Sequence, residues 1–344
     1  MVRPMPALAP RLVTERLVLR AFEPRDVAPH LASSQDPEVQ RYLGGVKDPY
    51  EAFATLATHA GHWALRGYGS WAVERRADGE YLGRVGLWNP ETWPDVEIGW
   101  RMHRAAWGNG YATEAARAAL GWVWTTQPFD HLISIIHPDN LPSQRLAARL
   151  GHENTGMFEV PSIGIAAQRW WIERPPGDEA YAIRAATHDD AEDLSRLITA
   201  AFDDYISISP PGWTPRPHPP QEEHELLDHP DVTALVARPG GVLAGTVLHR
   251  PAATSRLQSD DPGLVHFVRL FVDPAWHGSG LARRLHQHAV DDARARGFTK
   301  MVLFTPLAQG RARRFYEREG WTRVRDDFSD ERFGMPTVEY SYSL

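Results

Sequence analysis

Residues 269–285 read RLFVDPAWHGSGLARRL. An apolar, strand-like run ends at Asp273-Pro274, a short turn follows with Gly278 and Gly280 one residue apart, and a helix pattern rich in arginine begins at once. Glycine has no side chain to hold a ligand off, so main-chain N–H groups entering such a helix can close around an anion, and the helix dipole adds partial positive charge there. The stretch is a phosphate site in outline. The same device stands earlier as WGNGYA, residues 107–112, between the strand-like residues 96–102 and a helical pattern over 113–124. Gly108 and Gly278, Gly110 and Gly280, and Ala112 and Ala282 all stand 170 positions apart. Fainter echoes pair LRAFEPRDVAPHL from Leu19 with IRAATHDDAEDL from Ile183, and LGRVGLW from Leu82 with AGTVLH from Ala244. A period this long denotes duplicated domains rather than a solenoid.

The 344 residues agree, having room for about two domains that each bury a core. A net charge of −7 makes no basic face for nucleic acid expected. The chain has no cysteine, which excludes disulfides, thiolate nucleophiles and cysteine metal sites together, so acyl transfer cannot pass through a cysteinyl enzyme. MVRPMPALAPRL at the start lacks a continuous apolar leader core and no later run approaches membrane-spanning length, so the expectation is a cytoplasmic protein with no membrane partner. Lys47 and Lys300 are the only lysines, a bias of coding sequence rather than of function.

Residues 12–20 alternate apolar and polar and predict an opening strand. Glu23-Pro24-Arg25-Asp26 starts a helix, and a second helix pattern over 49–66 ends at Gly67 and Gly69. Residues 71–75 and 81–88 make a hairpin about Asp78-Gly79. Residues 96–101 are the strand into the first glycine loop. After the helix from Thr113, residues 131–137 suit a buried strand, and Asn140-Leu141-Pro142-Ser143 opens a short helix that stops at Gly151. Polar residues 173–179, rich in proline, read as a linker, giving domains 10–174 and 181–344 with 175–180 between them. The second copy begins with a helix over 189–202. SPPGWTPRPHPP at 209–220 is then too rich in proline for helix or central strand. A helix over 222–229, a hairpin of 233–237 and 242–249, and a strand over 265–272 lead to the second loop. A strand over 301–305 and a helix over 311–319 ending at Gly320 follow it.

The order in the first copy is strand, two helices, three strands, helix, strand, helix, strand. With these motifs it resembles the GCN5-related N-acetyltransferase (GNAT) superfamily, whose signature is Gln/Arg-x-x-Gly-x-Gly/Ala opening a helix after the fourth strand. TERLVLR at 14–20, EIGW at 97–100, WGNGYATEA at 107–115 and NLPS at 140–143 look like the ribosomal-protein N-terminal acetyltransferase subgroup, in which a Trp107-type departure at the Gln/Arg position is usual. In the second copy His277 stands at that position, and RRFYEREGW at 313–321 is similar to the family's Ala-x-x-Phe-Tyr-x-x-x-Gly-Phe element. The resemblance implies an α/β (α+β) protein of two tandem acyl-CoA N-acyltransferase domains, each a mixed, mostly antiparallel sheet flanked by helices.

It also implies acetyl-coenzyme A as co-substrate, without a metal. The pyrophosphate would lie on His277, Gly278, Ser279, Gly280, Leu281, Ala282 and Arg283, and the pantetheine beside Leu270, Phe271 and Val272. In the first copy the matching residues are Trp107, Gly108, Asn109, Gly110, Tyr111, Ala112 and Thr113, then Trp100, Arg101 and Met102, with Asn140 added. The acceptor would be a primary amine of a small molecule or peptide, acetylated directly in a ternary complex; a longer acyl donor stays open because the loop reads the pyrophosphate and not the acyl chain. Such transfer needs a neutral amine, an N–H aimed at the thioester oxygen, which a strand amide near Leu270 or Arg101 supplies, and a proton donor for the leaving thiolate. Tyr316 falls at the general-acid position, or is core beside Phe315. The aligned residue in the first copy is Ala147, where Ser143 and Asn140 are either substitutes or a plain helix cap. Glu97 and His266 are the candidate bases, each with an alternative as an ordinary strand residue. Glu222 and Glu223 would attract a cationic acceptor, and residues 209–220 form either a flap at the acceptor site or a surface loop. Trp63, Trp71, Trp88, Trp93 and Trp122 divide between core and an aromatic pocket. His62, His131 and His137 show no metal-ligand spacing. One copy, the first more readily, has a second reading as a coenzyme-binding domain without catalysis. The duplication suits a monomer that is its own pseudo-dimer as well as a homodimer.

Overall fold

The computed structural model describes residues 9–161, 164–330 and 334–344; the stretch examined for a leader lies, through residue 8, outside them. The chain divides into two units, one ending at Ala180 and taking in Pro239–Val242, the other formed by Tyr181–Arg238 and Leu243–Leu344. Among the described residues no helix is long and apolar enough to cross a membrane.

The first unit runs β1 (Leu12–Val13), β2 (Leu17–Arg20), α1 (Val27–Ser34), α2 (Pro37–Gln40), α3 (Pro49–Arg66), β3 (Ser70–Arg75), β4 (Tyr81–Trp88) and β5 (Glu97–Met102). It continues with α4 (Tyr111–Thr126), β6 (His131–Ile136), α5 (Leu141–Arg149), β7 (Glu153–Val160) and β8 (Ile165–Glu173). The strand expected over 12–20 is two short ones, because the chain turns at Thr14 and both Thr14 Oγ1 and Arg16 reach to Glu114. Helix α3 starts on a reciprocal cap, Asp48 accepting from the Glu51 amide at 2.8 Å and Glu51 from the Asp48 amide at 3.1 Å. Its Trp63 meets Trp71 of β3 at 4.8 Å between ring centres, and Trp122 of α4 meets Trp71 at 5.3 Å, all three buried and edge-on. Edge-on pairs add about 0.5–1.5 kcal/mol each beyond the area they bury, so these three tryptophans are core and not pocket.

The second unit runs β9 (Ile183–Ala185), α6 (Ala191–Asp203), α7 (Pro220–Leu227), β10 (Thr233–Ala237), β11 (Gly245–Pro251) and β12 (Leu264–Val272). After these come α8 (Leu281–Ala295), β13 (Lys300–Pro306), α9 (Gly310–Arg318), β14 (Thr322–Asp330) and β15 (Met335–Ser343). Leu194, Leu197 and Ile198 of α6 bury against Val236 and Leu243, with Phe202 and Phe271 at the margin.

The sheets have orders β1-β2-β3-β4-β5-β6-β8-β7 and β14-β15-β13-β12-β11-β10-β9. All pairings among them are antiparallel except β5 with β6 and β12 with β13. Those parallel contacts are brief: Glu97 opposite Ile133 in the first unit, and Leu264, Val265 and His266 opposite Lys300, Met301 and Val302 in the second. Beyond them no pairing joins these strands among the described residues, which leaves a notch between them in each sheet. Each unit also locks its entry in the same way. Arg20 forks onto Asp26, both bonds 2.8 Å, while Asp26 takes the Glu23 amide; Arg184 forks onto Asp190 at 2.7 and 2.8 Å, while Asp190 takes the Thr187 amide.

Candidate active site

Both glycine turns adopt one conformation. Gly108 and Gly110 have φ of 76° and 78°, Gly278 and Gly280 of 85° and 82°, a region that side-chain-bearing residues avoid. Gly110 and Gly280 each stand immediately before a helix, α4 and α8. Among the described residues the amides of Gly108, Asn109, Gly110, Gly278 and Gly280 donate to no protein acceptor, and the first amides of a helix have no partner within it. A diphosphate fits that donor set. Each turn is held from the start of its own unit: Arg16 donates to Asn109 O at 3.0 Å and lies over the Tyr111 ring, while Tyr181 donates to Ser279 O at 2.7 Å. The residues at the family's Gln/Arg position also share a task. Trp107 Nε1 bonds Met102 O at 3.0 Å and His277 Nε2 approaches Val272 O at 3.0 Å, so each ties its turn to the end of the preceding strand.

In the second unit the notch is a cleft of about 1060 Å³. Its lining includes Leu270, Phe271 and Val272 of β12, Gly278, Gly280, Leu281, Ala282 and Arg283 of the turn and the start of α8, and Phe267 and Tyr316. Tyr316 is buried, and burial, with Tyr205 adding to it, pushes its phenol well above the usual range, so it is a protonated donor throughout. His277 is held below the ordinary histidine range by burial and by Arg311, whose Nη1 lies 2.8 Å from His277 Nδ1. A neutral ring can accept from Arg311, whose Nη2 also lies 2.5 Å from His277 Nε2. Arg311, which no spacing in the sequence singles out, brings a further cation to the cleft wall together with Arg314 and Arg318. His266 is not brought there. It is buried on β12 and is not among the residues that line the cleft. Glu223 is not available to a cationic acceptor either: fully buried, it takes both terminal nitrogens of Arg269 and, at 2.5 Å, His218 Nε2. Burial alone would raise it, but Arg269 and His218 hold it down at about 2. Ser195 Oγ donates to His218 O, so the proline-rich stretch is fastened at its end to α6 and α7. Glu222 faces Arg216 instead.

In the first unit Glu97 sits where β5 and β6 part. Its Oε1 takes the Ile135 amide at 3.3 Å and its Oε2 the Trp93 indole at 2.9 Å, while Ser134 Oγ donates to Ile98 O at 2.6 Å. Side chains therefore hold the strands where main-chain pairing stops. Burial pushes Glu97 up to about 7 against the opposing pull of those donors and of Arg84. Ser143 Oγ accepts from Trp100 Nε1 at 3.3 Å, which leaves the hydroxyl proton to donate. Asn140 Oδ1 is committed to capping α5 through the Ser143 amide. The Arg101 side chain reaches Ser34 Oγ and His30 Nδ1, at 3.1 and 3.0 Å. Trp88 stacks near His59 and His62, and His131 bonds Asp95 at 2.7 Å. His137 lies against Tyr42.

Two family models match the chain: one described as Acetyltransferase (GNAT) domain over residues 16–153, and one as Acetyltransferase (GNAT) family over residues 198–321. The uncharacterized protein YkkB of Bacillus subtilis is 36% identical over 149 residues, 41% of this chain and 84% of that protein. The uncharacterized N-acetyltransferase YoaA of the same organism is 26% identical over 152 residues, 43% and 86% of the two chains. Among solved structures, an acetyltransferase from Agrobacterium tumefaciens shares 24% identity, covering 50% of this chain and 99% of its own, with a TM-score of 0.45.

Proposed function

Because the chain belongs to the GNAT acetyltransferase family, with two of its domains in tandem, we propose that it moves an acetyl group from acetyl-coenzyme A directly to a primary amine of a small molecule or peptide, in the cytoplasm. The domains are taken as residues 10–174 and 181–344. One observation carries the assignment: a glycine turn with unspent amides and a buried phenol line one cleft. The amides of Gly278 and Gly280, with Arg283 and Arg311 near, hold the coenzyme's diphosphate. The unpaired edge of Leu270 to Val272 aligns the pantetheine. A strand N–H near Leu270 polarises the thioester carbonyl, the neutral amine attacks its carbon, the C–S bond breaks as Tyr316 gives its proton to the departing sulfur, and the proton lost by the new amide nitrogen returns to the Tyr316 phenolate through solvent. His266, off the cleft, has no part in this scheme.

In the first unit Glu97 is the base, relieving the attacking amine of its proton, and the Ser143 hydroxyl is the donor to sulfur. Ala147 at the place of Tyr316 favours a second reading for this unit, coenzyme binding without turnover. Thiol release from acetyl-coenzyme A across a panel of amines decides between them. Loss of release in Tyr316→Phe together with residual release that Glu97→Gln abolishes supports two active units. Loss in Tyr316→Phe alone leaves the first as a binding domain. Full release in both variants overturns the scheme.

A further inference from the structure

Arg84 of β4 and Arg101 of β5 are direct cross-strand partners. Side chains alternate along a strand, so the two rise from one face of the sheet, and like charges placed opposite each other cost stability unless something lies between them. Nothing negative does. Arg101 is only 5% exposed, and it is held by Ser34 Oγ and His30 Nδ1, neither of them charged, with its Nε left without a partner. Arg84 makes no ion pair or hydrogen bond among the described residues, and its Nε is likewise buried and unmatched. Burial and Arg101 push Arg84 down to about 10, and burial with Arg101 holds His30 down at about 3, so the histidine beside the pair is neutral. The second unit treats its own buried arginine differently, closing Arg269 onto Glu223. The bare pair in the first unit is therefore a feature of that unit and not of the fold.

The same face carries Gly99 and then Glu97, two and four positions along β5. A Cβ at Gly99 would meet only Glu97 Oε1, at 3.8 Å, so nothing else crowds the strand at that point between the guanidiniums and the carboxylate. The glycine loop belongs elsewhere: it leads into α4, whose Trp122 packs on Trp71, and Trp71 pairs with Val85 on the opposite face. We infer that Arg84 and Arg101 are the anion-binding end of the first unit's acceptor site, which rests on reading that unit as an acetyltransferase with Glu97 as base. The acceptor is then an amine that carries an oxyanion, carboxylate or phosphate, at its far end. Four strand residues span roughly 13 Å between Cα atoms, less the reach of two long side chains, which suits an acceptor of amino-acid to dipeptide length. The guanidiniums take the oxyanion in a fork, and the amine comes to rest by Glu97.

Calorimetry in the presence of coenzyme A tests this with matched probes: glycylglycine against glycylglycinamide, and O-phosphoethanolamine against ethanolamine. The anionic member of at least one pair binds wild type at least about tenfold more tightly than its neutral mate. Which pair shows the gain names the anion. Arg84→Gln abolishes the preference, and Arg84→Lys, which keeps the charge but not the fork, retains part of it and serves if the first variant fails to fold. Equal binding of the members of both pairs, no binding at all, or a preference that survives Arg84→Gln overturns the proposal. Thiol release from acetyl-coenzyme A separates the two readings: anion preference without release keeps the site and removes acetylation by this unit, and release without preference does the reverse.

Discussion

Tyr316 and Glu97 are tuned in ways that suit different halves of one reaction. The buried phenol stays protonated, so its value as a donor does not vary over the assay range. Tyr316→Phe is expected to lower turnover by the second unit about 10²- to 10⁴-fold, the usual worth of general acid catalysis, with KM for acetyl-coenzyme A unchanged. Unchanged steady-state thiol release would make it a core residue. Glu97, raised to about 7 by burial, acts as a base only when ionised, so first-unit turnover rises with pH through about 7 and the inflection vanishes in Glu97→Gln. The stability effect has the opposite direction. A carboxyl raised on folding contributes stability that is complete below the ordinary carboxylate range and is lost as pH climbs through 7. Glu97→Gln should therefore melt above wild type at pH 8 and not at pH 5 by scanning calorimetry. Tyr316 and Glu97 stand out in the sequence because each lies in a short motif. Arg311 and the Arg269–Glu223 pair do not, since one enters the cleft wall only through the placement of α9 and the other joins residues 46 positions apart.

Helix starts and tight turns were legible because their signals are local: Asp48-Pro49 with Glu51 at α3, and Asp78-Gly79 between β3 and β4. The closing hairpins were not. β7 is exposed along most of its length and so lacks an alternating pattern, β14 opens on charged residues, and β8 and β15 each insert beside a strand formed earlier. The repeated Arg–Asp clasp makes the first prediction at this level. Asp26 is fully buried, and Asp26→Ala takes the forked partner from Arg20, which keeps Glu74 at 2.7 Å, so the loss is about 1–3 kcal/mol in urea unfolding. The second concerns the loop. At Gly280 a Cβ would approach only the Tyr181 hydroxyl, at 4.0 Å, so Gly280→Ala meets no clash, yet its φ of 82° disfavours any side chain. The strain of about 1 kcal/mol, relieved by turning the amides off target, should weaken coenzyme A binding by about tenfold at that site with little change in melting temperature.

For the chain as a whole, the matching turns imply two coenzyme molecules per polypeptide, and titration calorimetry should find that number. Gly110→Ala or Gly280→Ala alone should leave one site of wild-type affinity, while a wild-type ratio of one would mean that only one turn is used. The duplication was visible in bare spacing, since three residues of each turn recur at a single offset; the contrast between a closed and an uncompensated arginine was not, because it depends on partners from distant helices. A last consequence belongs to the brief parallel contact in each sheet. A ladder joined by so few rungs is two half-sheets sharing a seam, and the seam is where exchange with solvent should start. A pantetheine arm laid in the gap would act as the absent rungs. Deuterium uptake at those alternate amides of residues 98–102 and 267–272 that do not bond to β4 or β11 should therefore be fast in the free protein and slow once coenzyme A is bound, so that the co-substrate serves as a removable strand of the fold.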